Sequence, residues 1–153
     1  MPHIRPFRPG DESALARICL LTADNGADAT GVLADDSIWA EIFVLPYVAR
    51  HPEFAFVVVD ENNTPVGHSV AAPDTREFED WFAQEWWPQF ADRWPHPPAE
   101  NSRQDRILRF AYARRGGAEP YGDEGYPAHL HIDLLAELQG QGFGRKLITT
   151  VST

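Results

Sequence analysis

The sequence predicts a mixed α/β (α+β) domain, and three observations predict it. Residues 128–151 run from an alternating apolar stretch through a glycine-rich turn into helical spacing. Residues 3–72 read as strand, helix, helix, strand, strand. Residues 73–127 carry a long helical pattern dense in aromatic side chains. At 153 residues, with 43% hydrophobic and 12% aromatic composition, the chain is one domain by size and has enough apolar surface for a core.

The elements follow in order. His3 to Phe7 is extended and broken by Pro6 and Pro9, which suits only an edge strand because proline cannot donate to a ladder. Asp11 is the N-cap candidate of a helix with Leu15, Ile18, Cys19 and Thr22 at helical spacing, stopped at Asn25-Gly26. A second helix starts at Asp35-Asp36-Ser37 and puts Ile38, Ile42 and Leu45 on one stripe ahead of Pro46. Phe54 to Val59 is apolar on both faces and reads as a strand covered from both sides. Glu61 to Thr64 is a turn, and Pro65 to Ala72 returns as the second strand of a hairpin. His68 sits in mid-strand and reads as a packed histidine.

The stretch 73–127 is a helical insertion within the single domain 1–153. Phe78, Trp81, Phe82 and Trp86 share a stripe, Pro88 kinks or restarts the helix, and Trp87, Phe90 and Trp94 continue it. Ile107, Leu108, Ala111 and Tyr112 mark a further helix ending at Gly116-Gly117, and residues 114–125 form a polar, glycine-rich loop. The aromatics either pack the insertion as core or build a wall over a groove.

The chemistry concentrates near the C-terminal end. Leu130, Ile132 and Leu134 alternate with His129, His131 and Asp133, the two-residue period of a strand. After the turn, Phe143, Leu147, Ile148 and Val151 fall on one helical stripe. Gly140, Gly142 and Gly144 let the turn close tightly, and the first-turn amides and positive dipole end of the new helix suit a phosphate. Arg145 and Lys146 set two cations in that first turn. The glycines alone would also serve a plain tight turn. A Walker loop is excluded, since Arg145 precedes Lys146 and Leu147 follows it. A dinucleotide fingerprint is excluded too, because the spacing is Gly-x-Gly-x-Gly.

What the residues do fit is Q-x-x-G-x-G, with Gln139, Gly142 and Gly144 in place. This resembles the acyl-CoA pyrophosphate loop of the GNAT superfamily of N-acyltransferases, which joins the fourth strand to the third helix. The stretch from Tyr126 to Leu135, continued from Gln139, is similar to the acetyltransferase-like domain found alone in bacteria and at the C-terminus of O-GlcNAc hydrolases; Ala136 stands where those proteins usually carry Pro. The resemblance implies a mixed, mostly antiparallel sheet flanked by helices, with 73–127 inserted between strands 3 and 4. It implies that Gln139, Gly140, Gln141, Gly142, Phe143, Gly144, Arg145 and Lys146 hold acetyl-CoA as co-substrate. It implies as well that backbone amides of Leu134 and Leu135 face the pantetheine arm and the thioester oxygen.

For the base, His129, His131 and Asp133 share one strand face, and Asp133 with His131 are the catalytic candidates, able to relay a proton from an amine. They could equally satisfy one another by hydrogen bonds. No metal is expected, since three residues on one straight strand do not converge on an ion without other ligands. The net charge of -10 argues against nucleic acid and suits a cationic acceptor, a small amine or a lysine-bearing peptide. Cys19 is the single cysteine, so no internal disulfide forms, and its stripe position suits a buried thiol. No signal peptide or membrane-length apolar run is present, and a cytoplasmic protein is expected.

The resemblance implies a further strand, helix and hairpin beyond residue 153, so the C-terminal part of the fold is expected to lie outside this sequence. A sheet ending at 128–135 would expose an apolar edge, so a longer protein, or a second copy in a homodimer, is expected to complete it. The sequence therefore predicts an acetyl-CoA-dependent N-acetyltransferase, with a non-catalytic acyl-CoA-binding or peptide-recognition module as the alternative.

Overall fold

The computed structural model describes residues 2–114 and 129–152. The helix end expected at Gly116-Gly117, the remainder of the 114–125 loop and the Tyr126-Pro127-Ala128 segment lie outside the described residues, as does the side chain of Val151. Two compact units divide the chain: Met1–Gly31, Asp35–Ala71 and Leu130–Thr153 form the sheet unit, and Val32–Ala34 with Ala72–His129 form the helical unit.

The sheet has four strands in chain order, β1 (His3–Pro6), β2 (Phe56–Val59), β3 (Pro65–Ala72) and β4 (His129–Leu134). β1 pairs antiparallel with β2, Ile4 opposite Val58, and β2 pairs antiparallel with β3, Val57 opposite His68. Leu135 N donates to Val66 O at 3.0 Å and Asp133 reaches His68, so β4 also runs antiparallel to β3. Val57, Val58 and Val59 are fully buried, as a strand apolar on both faces requires. β2 begins at Phe56, because Pro52–Phe54 closes a 3₁₀ turn just before it.

Three helices precede the hairpin: α1 (Glu12–Thr22), α2 (Ile38–Phe43) and α3 (Leu45–Arg50). Leu15, Ile18, Cys19 and Thr22 are the buried side of α1, as their spacing predicts. Asp11 stands at the N-cap without capping. Its carboxylate is taken by the Arg5 guanidinium in a two-pronged pair at 2.8 and 2.9 Å and by Arg8 N, and these donors hold its carboxyl below the usual range. Pro46 does not end the second helix. α2 stops at Phe43, and Pro46 lies in the first turn of α3, where a missing N–H costs nothing.

On one face of the sheet Val58, Val66, Leu138, Phe143 and Leu147 make a core against which Ile132 and Leu134 pack. It anchors α6 (Phe143–Ser152) after the glycine turn. Ile148, expected on the same stripe, is 49% exposed; Phe143 and Leu147 fill the seam one turn apart, and the next residue is rotated out of it.

In the helical unit, α4 (Thr75–Trp81) is capped by Asp74, whose carboxylate accepts from Glu77 N at 3.2 Å. The aromatic stripe does not continue as one helix. It widens into a π turn at Phe82–Trp86 and tightens into a 3₁₀ turn at Trp87–Phe90, because Pro88 lacks the amide that an α-helix needs there. Trp87 is stacked between Phe82 at 5.6 Å and Trp94 at 5.8 Å, and these three are core with Phe78, whereas Trp81, Trp86 and Phe90 are half-buried. α5 (Arg103–Ala113) starts at Ser102, whose hydroxyl accepts from Asp105 N, and buries Leu108 and Ala111. No helix among the described residues is long and apolar enough to cross a membrane.

Candidate active site

β4 carries the candidate residues, and its closeness to β3 sets their positions. A Cβ on Gly67 would stand 2.7 Å from Leu134 Cδ2 and 3.3 Å from Asp133 O, so a side chain here would make Leu134 turn aside and press on the β4 backbone. Directly after it on β3 comes His68. Its imidazole is fully buried, and Nε2 is 3.4 Å from Asp133 Oδ2.

The short distance is not an ion pair. Burial drives the His68 imidazole down to about 3, with His131 adding to the effect, and burial pushes the Asp133 carboxyl up to about 6 against an opposing hydrogen bond from Thr22. Both groups are neutral between those values. Cys19 lies on the same side; burial and then the Asp133 charge raise its thiol well above the usual range, so it is inert.

Two cavities meet at Asp133. The first, about 220 Å³, is bordered by Cys19, Asn25, Trp39, Phe43, His131 and Asp133. The second, about 290 Å³, is bordered by Ile132, Asp133, Leu134 and Gln139. Thr22 and Gly26 border both. Asp133 therefore faces an aromatic-walled chamber on one side and the strand end leading to the glycine turn on the other. His131 is fixed in the first chamber by Tyr47, whose Oη lies 3.1 Å from Nε2, and by edge contacts to Tyr47 and Phe43. His129, on the same strand face, borders neither cavity and is 2.7 Å from the Thr75 hydroxyl through Nδ1.

The glycine turn takes up the shape its spacing predicts. Gly140 and Gly142 both have φ +82°, a left-handed backbone that side chains resist. The first bond of α6 runs from Lys146 N to Gly142 O at 3.1 Å, which leaves the amides of Phe143, Gly144 and Arg145 outside the helical ladder. Gly144 differs from the other two in its ordinary φ; a Cβ at any of the three would meet nothing within 4 Å. The fold itself does not ask for glycine at 144. Arg145 and Lys146 are exposed, with Lys146 Nζ 4.8 Å from the Phe143 ring centre. The Gln139 side chain donates to Leu134 O at 3.1 Å and the Gln141 side chain to Glu137 O, so both brace the turn.

One expectation needs correction here. The Leu135 amide was expected to face a ligand, but it is spent in the ladder with Val66. Strand alternation turns the Leu134 backbone the other way, to the edge that no described strand pairs, where its carbonyl accepts from Gln139. Among the described residues no group of three His, Cys, Asp or Glu side chains gathers as a metal site would need. The sequence reading missed His68 as a neighbour of Asp133, along with Thr22, Trp39 and Phe43 as cavity walls. Gly67 in mid-strand was the one local signal, since such a glycine marks a close approach.

No protein-family model matches the chain. Among solved structures, SsHAT is 36% identical and superposes with a TM-score of 0.91, the match covering 98% of this chain and 74% of that one. A polyamine N-acetyltransferase of Drosophila melanogaster is 18% identical, with a TM-score of 0.56 over 99% of this chain and 69% of its own. An agmatine N-acetyltransferase is likewise 18% identical, with a TM-score of 0.54 over 99% and 68%. The last two share the fold. The antiparallel sheet flanked by helices, the glycine turn between β4 and α6, and the identity with SsHAT over 98% of this chain agree: this chain belongs to the GNAT superfamily of N-acetyltransferases.

Proposed function

We propose that the chain is an acetyl-CoA-dependent N-acetyltransferase whose acceptor is a primary amine, either small or carried on a lysine-bearing peptide. Asp133 carries the proposal, because it borders both cavities and its carboxyl is raised to about 6. An amine is protonated at neutral pH and must lose a proton to attack. A carboxylate that is ionised above pH 6, yet still binds a proton well, suits that task and contributes ~10²- to 10⁴-fold in such reactions. In the reading offered here the amine enters past Trp39 and Phe43, the ammonium meets Asp133, and His131 borders the path of the departing proton.

Bound acetyl-CoA would supply the activated thioester. The residues fit its diphosphate: Gly140, Gly142 and Gly144, the amides of Phe143, Gly144 and Arg145, and the exposed Arg145 and Lys146 would hold it. The open space at Gly144 supports this, since a side chain there would fill the cradle. Phe143 contributes through its backbone, its ring being core. Gln139 and Gln141 act by bracing the turn, and Leu134 offers its edge-facing backbone to the pantetheine arm.

Calorimetric titration with acetyl-CoA tests the cofactor assignment. Gly144→Trp leaves the fold intact and weakens binding at least about tenfold, or 1.4 kcal/mol; equal affinities remove the assignment. Asp133→Asn, assayed for CoA release with candidate amines, tests the base. Thermal stabilisation by CoA with no turnover on any amine would establish the recognition module instead.

A further inference from the structure

His68 is the buried titratable group that the proposed reaction leaves unused, and its placement is unfavourable on its own account. The ring is wholly inside the sheet unit, and neither nitrogen has a hydrogen-bond partner among the described residues. A neutral imidazole always carries one N–H, so a donor is stranded whichever nitrogen holds the proton. Buried polar groups are normally satisfied, and an exception calls for a reason. An apolar residue opposite Val57 would fill the position without that cost.

The reason lies across the strands. Once Asp133 ionises, its oxygens become acceptors only and need donors. The titratable groups that face it are Cys19 of α1, His68 of β3 and His131 of β4, with Thr22 of α1 as a hydroxyl donor; Asn25, Trp39 and Gln139 border the same cavities. The Thr22 hydroxyl also donates to Ile18 O at 2.8 Å, which weakens the hydrogen bond it offers Asp133. A thiol is a weak donor, and His131 directs Nε2 at Tyr47. His68 Nε2 stands at 3.4 Å from Oδ2, out of alignment but a few tenths of an ångström from a charge-assisted bond.

We propose that His68 is a positioning residue for Asp133: with its proton on Nε2, the neutral imidazole closes onto Oδ2 when the carboxyl ionises and holds the carboxylate toward the cavities. This rests on Asp133 being the base. The proton balance is simple. The amine proton passes to Asp133, His68 keeps its own proton throughout, and the bond opens again as Asp133 is protonated. Complete burial stops His68 from competing for the substrate proton, because its charged form is too costly there.

The experiment follows the Asp133 carboxyl by ¹³C NMR titration in the free protein, with no acetyl-CoA present. His68→Leu removes the donor, and the Asp133 midpoint rises by about one pH unit, a tenfold gain in proton affinity. His68→Asn, whose amide can donate, recovers most of the shift, and the acid limb of kcat/KM moves in step. His68→Phe replaces the leucine variant if that one fails to fold. An Asp133 midpoint that is the same with and without the donor overturns the proposal. A shifted midpoint in a protein that transfers no acetyl group upholds the positioning role and removes the acetyltransferase reading; an unmoved midpoint in an active enzyme does the reverse.

Discussion

In the helical unit, Arg114 Nε and Glu79 Oε2 meet at 3.3 Å with each side chain 4% exposed. In the sheet unit, His68 Nε2 and Asp133 Oδ2 meet at 3.4 Å with 0% and 26% exposed. The distances are alike and the chemistry is opposite. A guanidinium has no proton to give at ordinary pH. Arg114 has Phe82, Phe78 and Phe110 ring centres at 4.9, 5.3 and 5.7 Å, whose faces return part of the hydration it loses. That pair works as scaffold. Among the described residues no ring face is stacked on His68, and burial drives both His68 and Asp133 toward neutrality and leaves a pair whose protonation can change. Separation alone does not make an ion pair; the partners' ability to shed charge decides.

The largest expected effect tests the scaffold side. Glu79→Leu leaves the Arg114 charge buried without its carboxylate and costs about 3–5 kcal/mol of stability, read by urea unfolding. Glu79→Leu combined with Arg114→Met recovers most of that loss, because two apolar side chains need no pairing. A loss under about 1 kcal/mol for the single change would mean water reaches the pair, and the contrast with His68 and Asp133 would fail.

Next in size is the pH dependence of the sheet pair. Asp133 is raised from 3.8 to about 6, so its stabilising contribution is complete below 3.8 and is lost as pH rises through 6. His68 is lowered from 6.5 to about 3, so its contribution is complete above 6.5 and is lost as pH falls through 3. Between about pH 4 and 6 the folded chain holds one proton on Asp133, while the unfolded chain holds one on His68. The counts match, and this pair leaves stability flat across that window. Each partner alone uncovers a slope of about 1.4 kcal/mol per pH unit: rising with pH in Asp133→Asn, falling with pH in His68→Leu. Denaturant melts at pH 4, 5 and 6 read both signs, and slopes of the same sign would show that the two groups do not titrate as described.

Much of this was legible in local sequence because the signals were local. β3 spans Pro65–Ala72 as the turn residues before it predict, and the turn before α6 has its left-handed glycines at 140 and 142. Placing His131 and Asp133 on one strand face needed only the two-residue period. The partner of Asp133 was not legible. His68 lies sixty-five positions away, and pairing register between β3 and β4 depends on Gly67, whose role is a contact with Leu134 that no spacing rule encodes. Asp11 had the residue type and position of a cap, but Arg5 offers two charge-assisted bonds where a helix amide offers one. Pro46 carries the same lesson for boundaries: a proline that cannot continue one helix is well suited to begin the next.

The smallest effect sharpens the division of labour between the two histidines that face Asp133's side of the sheet. His131 has a hydrogen-bond partner in the fully buried Tyr47 and borders the first cavity, whereas His68 has neither feature. Tyr47→Phe removes that hydroxyl and keeps the ring that packs edge-on against the imidazole at 5.2 Å, so stability falls by only about 1 kcal/mol. The effect on function is separable from this. Freed from Tyr47, the His131 ring loses its fixed orientation in the chamber where the amine is proposed to enter, so KM for the amine rises while the Asp133 titration midpoint stays in place. Steady-state kinetics beside the same NMR titration distinguish the outcomes. A moved midpoint in Tyr47→Phe would show that His131, rather than His68, is the imidazole to which the carboxylate is coupled.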